Sequence, residues 1–565
     1  MKESEGLSIQ SEQKITWIPR WGDNHSLLVS AVWQMNSGNS QYQEFEKYGL
    51  PSNSITDATS VGFDKAFNSG AGQWRSLAIM GRAHYTFMNR YTIDATFRRD
   101  GSTKFGSNNR WGDFPAVSLK WNMADELFMK PLRAVIDELG IRGGWGITGN
   151  QPDREYLHFS RYNSSWGGGN NNYINIPTVK PSSIELSDLK WEKVTSYNLG
   201  IDLHLFNSKL VFDGNIYKRK TEDLLFKDLG IPSSSGFGSL SYVNIGVMDN
   251  TGWELSIYTN NLIKTRDWKV DFNVNFSNNK NKIVELSPAV LNAYNKDFNY
   301  DNGSYLTRLQ EGNSFGSIYG FRYKGVYQYD KYEEGRGGTA PVVKDVNGNV
   351  VKDANGKPLP MYFDYFNLGN KRYQFRGGDA IYEDINHDGT IDELDIVYLG
   401  NSNPKLTGGF GTNITFKNFS ISAFFNFRYG NKIVNYARMD AENMHSNNNQ
   451  SIAVNWRWRK DGDVTEMPRA LYNYGYNYLG SDRFVEDGSF LRFKTLTFKY
   501  NFSPKSLRRV FLNQLSFYLT LNNLVTFTKY TGVDPEVGIE SFGLCADRTK
   551  TPRSQYFTFG VTVGF

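Results

Sequence analysis

The chain of 565 residues has one cysteine, Cys545, so it has no disulfide of its own and no thiolate metal cluster. It has no run of eighteen apolar residues, which excludes a membrane-spanning helix. An excess of charge of one sign is also missing. Lys+Arg 63 against Asp+Glu 58 leaves a formal +5, too slight for the basic stripe that nucleic-acid binding requires, so no nucleic-acid partner is expected. The first residues place Lys2, Glu3, Glu5, Glu12 and Lys14 where a signal peptide would need an apolar core, so no signal peptide is expected. Proline is scarce at 17 residues, against 54 glycines and an aromatic share of 15%. That balance is β-rich.

The dominant pattern has period two. From Ile79 to Phe87 one face reads Ile79, Gly81, Ala83, Tyr85, Phe87 and the other Met80, Arg82, His84, Thr86; after Met88-Asn89-Arg90 the alternation resumes through Tyr91, Ile93, Ala95 and Phe97. Tyr197 to Leu205 and Val270 to Phe276 behave alike, as do stretches near 27–35, 116–123, 253–263, 410–428, 490–502, 515–524 and 555–565. This predicts about 14 to 16 strands. They approach the ten residues a tilted strand needs to cross a bilayer, and Tyr85, Phe87 and Tyr91 place aromatics at the ends of the apolar faces. Connections of two to four residues alternate with long ones near 36–72, 150–190, 285–315, 328–405 and 431–488. Together these predict an all-β, antiparallel transmembrane β-barrel with long external loops. In such a barrel Ile93, Ala95, Phe97, Leu199, Ile201 and Leu203 face lipid, and Thr92, Asp94, Thr96, Asn198 and Asp202 the lumen.

A series of blocks then carries a resemblance: Arg98-Arg99-Asp100-Gly101-Ser102, Asn109 to Pro115, Trp145 to Gln151, Leu189-Lys190-Trp191-Glu192, Asn244-Ile245-Gly246, Gly252-Trp253-Glu254-Leu255, Ile318-Tyr319-Gly320, Gly378 to Asp395, Gly400 to Lys405, Gly488 to Arg492 and Thr528 to Glu536. In this order the chain resembles the SusC/RagA-type TonB-dependent outer-membrane transporters. The resemblance implies the carboxy-terminal part of a 22-stranded barrel, spanning 1–565, with the plug and its TonB-contacting box absent from these residues. It implies residence among the lipids of the outer membrane of a Gram-negative bacterium, and import of an oligosaccharide or peptide. Its implied partners are a SusD-like surface lipoprotein and, through the missing plug, the TonB-ExbB-ExbD complex. The alternative is a secreted, soluble β-rich protein that binds or degrades carbohydrate.

One motif has ligand chemistry. Asp384-Ile-Asn386-His-Asp388-Gly389-Thr390-Ile-Asp392-Glu-Leu-Asp395 follows the calcium-loop spacing, with side-chain oxygens at Asp384, Asn386, Asp388 and Asp392, the Thr390 carbonyl, and Asp395 closing where glutamate is usual. A structural Ca2+ is the expected cofactor, and a solvated Asx-rich turn the plainer reading. Trp456, Trp458 and the run Tyr472, Tyr474, Tyr476, Tyr478 set flat apolar faces beside amides, which suits sugar or peptide stacking and equally suits packing on a partner. The six histidines show no metal-protease spacing and no phosphate loop occurs, so no enzyme activity and no catalytic residue is expected.

Overall fold

The computed structural model describes residues 2–565 apart from 50–51, 53, 55–61, 166–177, 232, 289, 292–308, 365–371, 504–506, 508–510, 541–542 and 550. Most of the 285–315 connection therefore lies outside the described residues. The chain divides into two compact units, Met1–Thr251 with Val284–Ala293, and Gly252–Ile283 with Tyr294–Phe565. No helix among the described residues is long and apolar enough to cross a membrane.

In the first unit eight strands pair antiparallel, each with the next: β1 (Lys2–Trp17), β2 (His25–Tyr48), β3 (Phe63–Phe87), β4 (Tyr91–Ser102), β5 (Trp111–Asn122), β6 (Ile136–Asn150), β7 (Glu192–Leu205) and β8 (Leu210–Glu222). The sheet's two faces differ in kind. Ile79, Ile93, Phe97, Leu199 and Ile201 stand exposed on one. The other carries a ladder of ion pairs in which Arg82 meets Asp94 at 2.5 Å, Arg142 bridges Asp202 at 3.1 Å and Asp213 at 2.7 Å, and Lys120 bridges Glu138 at 3.1 Å and Asp202 at 3.4 Å. Facing water, the apolar side would forfeit its transfer free energy; in hydrocarbon it forfeits none. The turn between β3 and β4 puts Met88 at φ 53° and Asn89 at φ 56°, two left-handed residues whose twist matches the flanking strands.

Strands outrun their apolar stretches. The connection expected over 36–72 is mostly strand, because β2 runs to Tyr48 and β3 starts at Phe63 with Asn36↔Ser76 and Ser40↔Gly72 still in register. From Asn36 to Gln41 both faces are polar, so the alternation that marks a lipid-facing strand vanishes there while the pairing continues.

The second unit contains β9 (Val247–Thr259, its first five residues counted with the other unit) and a ladder of β10 (Trp268–Glu285), β11 (Leu406–Phe416), β12 (Phe419–Tyr429), β13 (Phe490–Asn501), β14 (Gln514–Thr528) and β15 (Tyr556–Gly564). Its exposed face is aromatic. Trp268 lies 4.5 Å from Phe416, Phe425 lies 5.0 Å from Phe410 and 4.3 Å from Phe493, and Phe419 lies 4.7 Å from Tyr500. At one end β11 and β12 are joined by Lys417 and Asn418 alone. From the other end rise three long segments, within 317–403, 430–489 and 529–555; the first two fold together around buried Phe321, Tyr327, Phe363, Phe375, Tyr382, Ile391 and Leu479, and the third packs on them in smaller clusters through Tyr530, Cys545 and Ala546. These loops form a packed layer with a core of its own.

Within that layer lies a tandem repeat, Val342-Val-Lys-Asp-Val-Asn-Gly-Asn349 followed by Val350-Val-Lys-Asp-Ala-Asn-Gly-Lys357. Each copy ends in a turn in which the Asp345 or Asp353 carboxylate accepts two backbone N–H groups, and Gly348 and Gly356 supply the left-handed residue. Val351 N–H donates to Val343 O, Leu359 N–H to Val351 O, and Val343 N–H to Leu359 O, a closed triangle of main-chain bonds.

Candidate functional site

The loop layer holds the residues the sequence singles out, and it divides the aromatic set in two. Tyr478 is buried and lies 4.3 Å from the His445 ring, and Tyr476 packs 4.2 Å from Phe363. Trp458 donates its indole N–H to Gln328 O at 3.1 Å. Its ring covers Gly378, which has φ +84° and where a Cβ would come within 2.3 Å of the indole. These three are structural. Trp456, Tyr472 and Tyr474 are 66%, 61% and 62% exposed, with Tyr472 Oη held by Asn447 at 3.2 Å and Tyr474 edge to face with Tyr373 at 5.2 Å.

Under the aromatics sits a buried charge. Asp379 is fully buried; its Oδ1 accepts from Arg469 Nε at 2.7 Å, and its Oδ2 from Tyr373 Oη and from the Arg376 N–H, both at 2.8 Å. Asn477 Nδ2 adds a bond at 3.3 Å, and its own Oδ1 accepts the Ala380 N–H at 2.8 Å. The cluster joins segment 373–380 to segment 469–477. Burial, then the neighbouring Asp379 charge, push the Tyr373 phenol well above its ordinary range. A second junction ties the loops to a strand. Arg492 of β13, 3% exposed, meets Asp534 at 2.5 Å and Glu536 at 3.0 Å, and Arg553 meets Glu536 at 2.7 Å. It thereby joins the Gly488–Arg492 and Thr528–Glu536 blocks. In the first unit Trp191 lies 4.7 Å from Phe105 and 5.5 Å from Phe114, and Asn244 bonds Lys190 through both its amide atoms.

The 384–395 segment is a turn closed by its own acids. Asp384 accepts the N–H of Asp388 at 3.2 Å and of Gly389 at 2.8 Å, and Asp388 accepts that of Thr390 at 2.8 Å. Asp395, fully buried, accepts from Ile385 at 2.7 Å and Asp392 at 2.9 Å; burial pushes its carboxyl up to about 6, and burial also raises Asp392. Gly389 has φ +85° with Val343 against it, 2.6 Å from where a Cβ would be, so the tandem repeat and this turn pack on one another. Among the described residues no three His, Cys, Asp or Glu side chains converge as a metal cage. The segment does hold Asp384, Asn386, Asp388, Thr390, Asp392 and Asp395 in one turn.

Gly312-Asn-Ser314-Phe-Gly316 has the spacing of a nucleophile elbow, but Ser314 Oγ accepts from the Asn401 amide at 2.5 Å and its carbonyl accepts from Ser317, so among the described residues an amide rather than a base holds the hydroxyl. The Asp379–Arg469 pair and the Arg492 junction carry no spacing signal, since the partners lie 90 and 42 to 44 positions away.

The model of the TonB dependent receptor-like β-barrel family matches residues 5–524, and the chain belongs to that family. Its place is therefore the outer membrane of a Gram-negative bacterium. Among its relatives is the TonB-dependent receptor P39 of Formosa agariphila, 30% identical over 97% of this chain and 50% of that receptor. TonB-dependent receptor SusC of Bacteroides thetaiotaomicron is 28% identical over 86% of this chain and 44% of its own length. The structure of the RagAB peptide transporter superposes with a TM-score of 0.77 at 23% identity, covering all of this chain and 56% of that one. The chain spans about half the length of the curated relatives it matches. Receptors and transporters, not enzymes, are what these relatives are named for, and the secreted soluble alternative falls with the membership.

Proposed function

We propose that the chain supplies barrel wall and external loops to a TonB-dependent importer of oligosaccharide or peptide that works with a SusD-like surface lipoprotein. The observation that carries this is the loop layer. The connections within 317–403 and 430–489 share one aromatic core, the connection within 529–555 is anchored on β13 through Arg492, and Trp456, Tyr472 and Tyr474 are left exposed. A rigid base with exposed ring faces suits stacking against a sugar or a peptide, or against a lid protein above. The relatives named SusC and RagAB support the reading, one of them titled a peptide transporter. TonB-ExbB-ExbD would act through a plug outside these residues. The test is growth and uptake: a strain lacking the gene, supplied with oligosaccharide or peptide as sole carbon source, loses uptake of one class and regains it on complementation. Uptake of both classes unchanged would end the proposal.

We further propose a structural calcium ion at Asp384–Asp395, supported by the left-handed Gly389 and by Asp384 capping Asp388 and Gly389. Calorimetry of the intact receptor with millimolar calcium tests it. Absence of heat leaves the acid-closed turn described above.

A further inference from the structure

Past their apolar stretches β1, β2 and β3 carry a groove of about 830 Å³ on the polar face, the face of the Arg82–Asp94 pair. Its floor is the row Gly6, Ser40 and Gly72, paired across the three strands, and Tyr156 of the segment after β6 lines it from above. Every second residue of a strand shares a face, so the flanking rows on this side hold Trp74 opposite Gly38 and Tyr42 opposite Gly70. The groove runs between two aromatic rings.

Both rings lean across the sheet. Trp74 Cε2 comes within 2.7 Å of where a Cβ on Gly38 would be, and Tyr42 Cζ within 3.0 Å of that position on Gly70, so each ring lies over a glycine of the neighbouring strand. The segment above is fixed in place. Lys104, buried, donates to Pro152 O at 3.0 Å and Asp153 O at 3.3 Å and stands 6.0 Å from the Trp74 ring, which ties the segment carrying Glu155 and Tyr156 to that ring. Lys2 stands 5.6 Å from the Tyr42 ring. Ser40 Oγ and Glu155 Oε2 lie 3.1 Å and 3.6 Å from where a Cβ on Gly72 would be, so a hydroxyl and a carboxylate border the space that this glycine leaves open. Tyr156 is held at φ 60°, a left-handed state uncommon for an aromatic residue.

The chemistry of the groove selects its ligand. Rings lying along a sheet offer broad apolar faces to the C–H face of a pyranose, and a carboxylate and hydroxyls between them suit its hydroxyl groups. A peptide fits poorly: its amides need main-chain partners, and β2, the central strand of the three, spends its own on β1 and β3. The rows of Trp74 and Tyr42 are separated by four residues of strand, about 13 Å, a span that takes more than one sugar ring. We infer that this groove is an oligosaccharide subsite on the barrel wall, with Trp74 and Tyr42 as its stacking platforms and Glu155, Ser40 and Tyr156 as partners for sugar hydroxyls. The inference rests on the importer reading and narrows its solute to oligosaccharide.

The intact receptor, purified in detergent, is titrated calorimetrically with linear hexasaccharides of glucose, galactose, mannose and xylose. One of them should bind, and Trp74→Ala or Tyr42→Ala should each weaken it about tenfold, the worth of one stacked ring. Gly72→Leu, which fills the space over the floor, should abolish binding, while Trp74→Phe with Tyr42→Phe should keep most of it. Unchanged affinity in both alanine variants overturns the inference, as does binding of none of the sugars. If the variants do not fold, a photoreactive derivative of the bound hexasaccharide on the wild type decides: label within 38–42, 70–75 or 155–156 supports the groove, and label elsewhere alone overturns it. The two readings fail separately. Uptake of peptide by the living strain, with no sugar bound by the receptor, overturns the groove and leaves the importer; sugar bound in the groove, with uptake unchanged when the gene is lost, ends the importer and leaves the groove.

Discussion

Within Gly252–Phe565 the strand ladder and the loop layer use the same aromatic residues in opposite ways. On the strands Phe410, Phe425 and Phe493 stack with nearly parallel rings along the outward face. In the loops Phe321, Phe363 and Phe375 sit at 0 to 1% exposure in a core closed by buried tyrosines. The difference lies in the solvent each was fitted to. Hydrocarbon supplies the cover that the strands lack, while the loops, standing in water, must cover their own rings and satisfy their own polar groups. A charged residue is therefore tolerated in different places: Asp379 survives at zero exposure because four donors surround it, whereas the outward face of β10 carries no charged residue from Trp268 to Phe276.

The largest effect should come from cutting the tie between the two. Arg492→Ala leaves Asp534 and Glu536 facing each other without their buried cation and should cost about 3 kcal/mol. Segment 529–555 would become protease-sensitive while the strands resist, and cleavage at the same rate as wild type would show that the junction is not an anchor. Next is Ile201→Arg, expected to cost about 2–4 kcal/mol in bilayer refolding if the site lies near the midplane, against a fraction of that for Asp202→Asn on the polar face. Equal penalties would erase the distinction between the two faces. Alkaline pH should separate wall from loops without mutation. Burial pushes Tyr323 up to about 12 and holds Tyr327, Tyr373, Tyr382 and Tyr530 higher still, so their unfolded forms ionise first. Stability is then lost as pH rises above about 10, at roughly 1.4 kcal/mol per pH unit for each tyrosine kept neutral. Tyrosinate absorbance should rise cooperatively with loss of loop structure while the strand signal in circular dichroism persists; simultaneous loss of both would mean one cooperative unit. Smallest for stability is Trp456→Ala with Tyr474→Ala, expected to change unfolding by under about 0.5 kcal/mol yet to weaken capture of substrate or lid protein. A large stability loss would move these rings into the core.

The strands were legible because lipid imposes one rule on every second residue, and Ile79–Phe97 or Val270–Phe276 obey it without reference to partners far along the chain. Legibility ended where lipid ends. At Asn36–Gln41 the strand persists with polar residues on both faces, and only its pairing with β3, visible in three dimensions, shows it. The aromatic run was recognised as a group, yet which of Tyr472, Tyr474, Tyr476 and Tyr478 turn inward depends on Phe363 and His445, residues brought in by other parts of the loops. Asp379 and Arg492 fall within the blocks that carry the resemblance, yet nothing near them in sequence announces a buried ion pair. Their meaning lies in partners tens of residues distant, and a lone aspartate between a glycine and an alanine looks like any turn.

The triangle of main-chain bonds in the tandem repeat bears on how this loop changes over evolutionary time. Repeated coding sequence gains and loses copies by slippage, and an eight-residue unit with its own self-capped turn would seem free to multiply. Here the circuit of Val343, Val351 and Leu359 is complete with two copies, each member giving one bond and taking one. A third copy would force the ring to admit a fourth member or expel one, and Val343 would lose its place against Gly389. Geometry thus favours two copies at this spot, and an inserted third repeat is expected to break the ring and loosen the Val343–Gly389 contact.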